Sequence, residues 1–511
     1  MTPAMLLVLL ASPFSAAASA DPPKETGVII VGAGMAGITA ARQLQAAGVP
    51  YVVLEAQDRI GGRAIVDARF ETPIDLGGAW VHGVETNPLT PWVHGAGRTL
   101  VPTDVDATHH VYLNGRFARA HELAVFSCIL EVFEENLASA VSPSRSDIPP
   151  KALDEYVDGS AAGDHLPAEG ACEGEVAALS VGDWTFDQLR ELAALNVGPL
   201  ESAVELSRNA TPDAANFEAG QDSLILGGYG AFVADFAKPI AGAVQLNQRV
   251  KKIEYKDQGV TVTTDKGTWK GDRVLVTVST GLLADKERGI AFSPELPSEK
   301  QEAIQHLPMG VLNKVIMQFD GENPKMRWPA DAGATLDDRW VLYGGDPANH
   351  EDDLAFVFRP GGSDIIIAFV GGDRAISWEK AEKGTPFTDA ALNAVSDMCD
   401  CQARDALELK VETRWATSPI SLGAYSAAVP SPTNWRAVLA RPVADRVYFA
   451  GEATYNRQYN GSYAAAYSSA LVASQAILES LCAQGGPQAR PAYCIGGWPA
   501  AETSAPVKSK K

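Results

Sequence analysis

The chain has 511 residues, 46% hydrophobic and 21% charged, enough to bury a large core shared by two interleaved domains. Its formal charge of −21 and pI of about 4.8 count against nucleic acid and anionic membranes as partners, because a surface of that sign repels both. The same acidity would draw in polycations such as polyamines or serve solubility alone, and composition leaves both open.

Residues 1–20 read as a secretory signal, which predicts a secreted, extracellular or periplasmic protein. Leu6–Ala11 is the apolar stretch, and Ala18-Ser19-Ala20 offers a small-residue cleavage site. The run is too short to span a bilayer, so no membrane anchor is expected. No Lys or Arg precedes it. Six cysteines, at 128, 172, 399, 401, 482 and 494, suit an oxidising compartment. Cys482 and Cys494 flank a Gly/Pro-rich turn and form the favoured bridge; the other pairings stay open. Cys399-x-Cys401 lacks His or further Cys at ligand spacing, so no metal site is expected. Asn209-Ala210-Thr211 has the form of a glycosylation acceptor.

The informative stretch begins at Val28. Val28–Val31 is apolar and β-branched, as a strand buried on both faces requires. Gly32, Gly34 and Gly37 follow in G-x-G-x-x-G spacing, with Met35 and Ala36 at the start of a helix. The glycines permit a tight turn, close approach to a pyrophosphate, and close helix packing, while the open helix N-terminus holds phosphate. Tyr51–Leu54 then forms a second strand ending in Glu55, placed to accept the hydroxyls of a ribose. Strand, glycines, helix, strand and acid in that order predict a Rossmann-like dinucleotide-binding domain. Asp58-Arg59-Ile60-Gly61-Gly62-Arg63 adds a flexible pair and a cation, so Arg63 can reach back to the pyrophosphate.

With its E-x(7)-R spacing from Glu55 to Arg63, the chain resembles the flavin-containing amine oxidases. That family includes monoamine, polyamine and L-amino-acid oxidases and histone demethylases. The resemblance implies FAD as cofactor and an α/β fold of GR2 type. A Rossmann-like FAD-binding domain (21–105, 225–300 and 405–485) would interleave with an α+β substrate domain (106–224 and 301–404), leaving 486–511 as an unstructured tail.

Asp75-Leu76-Gly77-Gly78-Ala79-Trp80 resembles the family segment beneath the flavin ring, which puts Gly78, Ala79 and Trp80 at the cofactor. Amino-acid oxidases carry an arginine nearby for the substrate carboxylate. None occurs here between Arg69 and Arg98, and Trp80-Val81-His82-Gly83 looks like the polyamine oxidases, whose histidine bonds a substrate nitrogen. Residues 106–220 are Ala-, Glu- and Leu-rich with helical spacing, and no chemistry is legible in them. Val244–Val250 reads as one strand, with Val250 matching the family residue whose backbone contacts adenine. Gly259–Thr263 and Thr268–Lys270 read as a hairpin.

Leu307–Phe319 is a strand bearing Lys314 among aliphatic neighbours, where a cation is rarely buried without reason. By resemblance, Lys314 holds the water that bridges to flavin N5. The segment from Thr413-Arg414-Trp415 to Gly423-Ala424-Tyr425-Ser426 resembles the run against the flavin, which puts Trp415 at the cofactor and makes Tyr425 an aromatic wall for an amine. Ala424 stands where monoamine oxidases attach flavin through cysteine, so FAD is expected to be non-covalent. Arg446–Ala450 reads as a buried strand, after which Glu452 is expected at the ribityl and phosphate region. A helix expected from about Ser462 can point its N-terminus at flavin N1 and O2. The run Tyr459–Ala466 is one residue longer than the family pattern, so either Ser462 or Tyr463 takes the substrate-facing position.

The expected activity is FAD-dependent oxidation of amines, most like a polyamine oxidase, with O2 as acceptor and aldehyde, amine and H2O2 as products. The alternatives are an L-amino-acid oxidase or another amine oxidase, and a secreted flavin-binding protein without turnover. The first would need a carboxylate-binding cation, and Lys314 speaks against the second.

Overall fold

Val28–Val31 pairs in parallel with Tyr51–Leu54 on one side and Arg273–Val276 on the other. Val244–Gln245 and Val447–Phe449 extend these to a five-stranded parallel sheet. The computed structural model describes residues 24–141, 160–210, 220–331, 333–347, 350, 352–381, 385–455, 459–484 and 494. The expected leader, 1–20, lies outside them, as does the tail apart from Cys494.

Strand alternation explains why the first run is apolar throughout. Val28 and Ile30 join a core with the helices Met35–Ala46 and Tyr463–Gln484. Ile29 and Val31 join a second core on the opposite face, under the sheet that contains Val250–Lys256 and Gly259–Thr264. The expected strand Val244–Val250 is therefore two. Val244–Gln245 belongs to the parallel sheet and Val250–Lys256 to the other, with a turn through Asn247 at φ 55° between them. Gly259–Thr264 and Thr268–Gly271 form the expected hairpin.

A seven-stranded sheet forms the second layer. From one edge its order is Leu407–Glu412, Leu312–Phe319, Ile365–Gly371, Leu354–Phe358, Arg339–Gly344, Val111–Leu113 and Arg116–Phe117. The helices Ala120–Val141 and Phe186–Leu195 cover one face, and Pro386–Cys399 covers the other. Residue 405, read from sequence as the return to the first domain, precedes the edge strand of this sheet. Asp222–Ile225 pairs with Trp80–Val81 and Leu100–Thr103 in a small sheet beside it.

The disulfide Cys482–Cys494 forms as expected, and Cys128–Cys172 and Cys399–Cys401 take up the other cysteines. Among the described residues no His/Cys/Asp/Glu group could hold a metal, and no helix is long and apolar enough to cross a membrane. Asn209 corrects the glycosylation expectation. It is 1% exposed and its Nδ2 donates to Ser202 Oγ at 2.9 Å, so the amide that would carry a sugar is turned inward.

Candidate flavin and amine site

A cavity of about 520 Å³ opens where the C-terminal ends of the parallel strands meet the seven-stranded sheet. Thirteen of the expected cofactor residues line it: Gly32, Gly34, Met35, Ala36, Glu55, Arg63, Gly78, Ala79, Trp80, Val250, Glu452, Ser462 and Tyr463. His82, Tyr425 and Ala424 line it as well.

The dinucleotide end is built from backbone. Gly32 has φ 105°, and a Cβ there would stand 2.7 Å from Thr277 Oγ1. Gly37 lies one layer back, where a Cβ would fall 1.9 Å from Gly32 O, so it lets the helix press on the turn. Met35–Ala46 starts without a side-chain cap or an acidic residue in its first turn, leaving its amides and dipole for an anion. Glu55, 5% exposed, accepts the N–H of Ala33 at 2.7 Å through Oε2 and of Gln57 at 2.9 Å through Oε1. Gln57 Nε2 also donates to Oε1, at 3.3 Å, so Oε2 is the oxygen that keeps a lone pair for a ribose hydroxyl.

Arg63 Nη1 donates to Glu452 Oε1 at 2.9 Å and to Ala424 O at 2.7 Å. Glu452 is 3% exposed and also accepts from Ser426 Oγ at 2.5 Å. A fork-shaped cation anchored behind by a carboxylate is preorganised for a pyrophosphate in front. Arg63→Ala should raise the dissociation constant for FAD about tenfold. Titration of the apoprotein with FAD, followed by fluorescence, checks this; parent-like affinity would remove Arg63 from the clamp.

At the inner end, Trp80, Trp340 and Phe369 pack together, with centroids 5.6 Å apart for Trp80–Phe369 and 5.1 Å for Trp340–Phe369. Tyr425 adds a ring whose hydroxyl donates to Glu201 O at 2.5 Å. Polar groups are few. His82 Nδ1 lies 2.7 Å from Asp222 Oδ2, and Asp222 Oδ1 accepts the Gly83 N–H at 3.0 Å. The Glu201 carboxylate accepts from Asn196 Nδ2 at 2.7 Å, and the residue lines the cavity with part of its surface exposed. Burial pushes its pKa up to about 7; Glu134 and Asp222 add to the rise, while the Asn196 bond and His82 oppose it.

Neither Glu201 nor Asp222 was legible as a site residue. Asp222 reaches His82 because the antiparallel register sets Ser223 against Val81 and Leu224 against Trp80. Both candidates for the substrate-facing position line the cavity. Ser462 caps the last helix, accepting the Ala465 N–H at 3.3 Å, and Tyr463 donates to Gly78 O at 3.4 Å and packs 4.3 Å from Tyr229.

Lys314 and Trp415 stand behind the lining. Lys314 is 4% exposed, and its Nζ donates to Asp75 O at 3.2 Å and Gly77 O at 2.5 Å. Burial lowers its pKa to about 8, against the pull of Asp75. Asp75 itself caps the helix Tyr229–Ala237, accepting the N–H groups of Tyr229 at 2.6 Å and Gly230 at 3.1 Å. The expected contact of Trp415 with cofactor is corrected. It is absent from the cavity lining: its N–H goes to Asn313 Oδ1 at 2.9 Å, and its ring backs Gly77. Ala424 lines the cavity and every cysteine is bridged, so no thiol remains for covalent attachment of a flavin.

A family model described as flavin containing amine oxidoreductase matches residues 35–478. Over 483 residues the chain is 31% identical to polyamine oxidase 4 of Oryza sativa subsp. japonica, covering 91% of each. It is also 31% identical to lysine-specific histone demethylase 1 homolog 2 of that plant, of which it spans 59%. Among solved structures it resembles a putrescine oxidase bound to putrescine, with TM-score 0.68 and 18% identity over 90% of this chain and 100% of that one. A cyclohexylamine oxidase from Brevibacterium oxydans gives TM-score 0.66 and 22% identity, over 89% and 99%. At those identities the structural likeness concerns fold alone.

Proposed function

Because the chain belongs to the flavin-containing amine oxidoreductase family and is thus an FAD-dependent enzyme, we propose that its substrate is a polyamine and its electron acceptor O2. The observation that carries the substrate is the charge at the inner end. Glu201 and Asp222 line it beside His82, whereas the cations lining the cavity, Arg63, Arg249 and Arg288, include one tied to Glu452 and two that flank the Val250 and Gly289 end. A chain of methylenes between ammonium groups matches aromatic walls ending in carboxylates. An amino acid's carboxylate would meet Glu201 and Asp222 instead, and like charges there repel.

FAD supplies the hydride acceptor when bound. The residues of the chain prepare the amine for it. An ammonium has no lone pair to release a hydride, so the reacting nitrogen must shed its proton first. Asp222 fixes the His82 imidazole with its proton on Nδ1, which makes Nε2 the accepting nitrogen. Glu201 holds a second nitrogen of the substrate as a cation, and Trp80, Phe369 and Tyr425 exclude water around the reacting carbon. The leader-like residues 1–20 and the disulfides support placing the enzyme in an oxidising, secreted or periplasmic setting.

A peroxide assay across spermidine, spermine, acetylated polyamines, monoamines and amino acids tests the reading. Turnover should be fastest with di- and tri-cationic amines and negligible with amino acids. A monoamine used as efficiently as spermidine would overturn the polyamine assignment.

A further inference from the structure

Glu379 ends the helix Gly372–Glu379 and is 4% exposed, yet among the described residues no cation pairs with it. Its charge is met by neutral donors. Oε2 accepts from Asn313 Nδ2 at 2.9 Å and the Ala416 N–H at 3.0 Å, and Oε1 accepts from the Thr417 N–H at 2.7 Å and hydroxyl at 2.5 Å. A buried carboxylate is costly unless its lone pairs are filled in this way.

The donors belong to two segments with different work. Asn313 precedes Lys314 on its strand, and Asn313 Oδ1 accepts the Trp415 N–H. Thr413 Oγ1 accepts the Lys314 N–H at 2.8 Å, closing the seam from the other side. The segment 413–417 leads on to Ala424 and Tyr425 in the cavity wall. Trp415 in turn backs Gly77, where a Cβ would lie 3.5 Å from its Cζ2, and Gly77 O accepts Lys314 Nζ.

We infer that Glu379 is a positioning residue for the flavin site: it locks the segment 413–417 to the Lys314 strand, and through Trp415 it sets the carbonyl that holds Lys314. It does not line the cavity. This inference rests on the amine oxidase reading for its kinetic arm only.

Glu379→Gln tests it. The amide keeps the shape but turns an N–H₂ group toward donors on one side, Asn313 Nδ2 with Ala416 N–H or the Thr417 pair. The variant holoenzyme should reduce its flavin about tenfold more slowly at saturating amine without oxygen, with the amine concentration for half-maximal rate little changed. Its visible circular dichroism should change too, since the ring's surroundings move. The double variant E379Q/N313D restores a complementary amide–carboxylate pair while the Ala416 N–H stays unmatched, and it should recover part of the rate and the spectrum. A single variant with parent-like reduction rate and spectrum, whatever its melting temperature, would overturn the role, as would a double variant no better than the single one. If no amine reduces the parent, the function proposed above fails, while the dichroism of the single and double variants still decides the role of Glu379.

Discussion

Lys314→Met should fold and bind FAD yet lose roughly 100-fold in turnover, the size of effect seen when one preorganised charge-stabilising group is removed. Methionine has nearly the volume of lysine, so the loss is of charge and donors rather than of packing. The carbonyls of Asp75 and Gly77 would be left without the ammonium that joins them, and the segment carrying Gly78 and Ala79 along the cavity would loosen. Burial raises the Asp75 carboxyl to about 6, with the N–H groups of Tyr229 and Gly230 and the Lys314 cation opposing that rise. Removing the cation should push Asp75 higher still. The pH dependence has a definite sign. Lys314 is charged below about 8 and neutral above, so the parent should lose the contribution of the cation as pH rises through about 8. Stopped-flow reduction by amine without oxygen, followed by reoxidation, separates the two half-reactions. A variant matching the parent in both, with the same alkaline limb, would show that the buried cation serves folding alone.

The dinucleotide end was legible because its chemistry is local and mostly backbone. Gly32, Gly37, Glu55 and Arg63 lie within one strand–helix–strand unit and the loop that follows it, and each is identified by what the chain must do there. The inner end is assembled across distance. His82 meets Asp222 140 positions away, and Tyr425 meets the Glu201 backbone 224 away. Nothing in the sequence around Glu201 separates it from the other acids of that helical region. Trp340 and Phe369 are core aromatics of their strands, and only the pairing of those strands brings them to the cavity. Trp415 was misplaced for a related reason. It is close in sequence to Ala424 and Tyr425, but hydrogen bonds to Asn313 hold it a layer behind them. Val244–Val250 read as a single strand because apolar residues at both ends conceal the turn at Asn247, where the chain passes between sheets.

Glu201→Gln should raise KM for spermidine about 30-fold at pH 8 while leaving the rate at saturation within a few-fold, since about 2 kcal/mol is typical for losing one partner of a desolvated, hydrogen-bonded charge pair. Glutamine can still accept the Asn196 bond through its oxygen, so the fold should tolerate the change. Because burial and the neighbouring acids raise Glu201 to about 7, the parent carboxyl is neutral below that pH and charged above it. KM for a polycationic amine should therefore fall in the parent as pH rises through about 7, and this step should vanish in the variant. A monoamine has no second cation to place against Glu201, so its KM should respond far less to the substitution. Initial-rate measurements with spermidine and a monoamine from pH 6 to 9 decide the matter. Equal changes in KM for both amines would assign Glu201 to shaping the pocket, and an unchanged KM for spermidine would leave Asp222 and His82 as the groups that recognise charge.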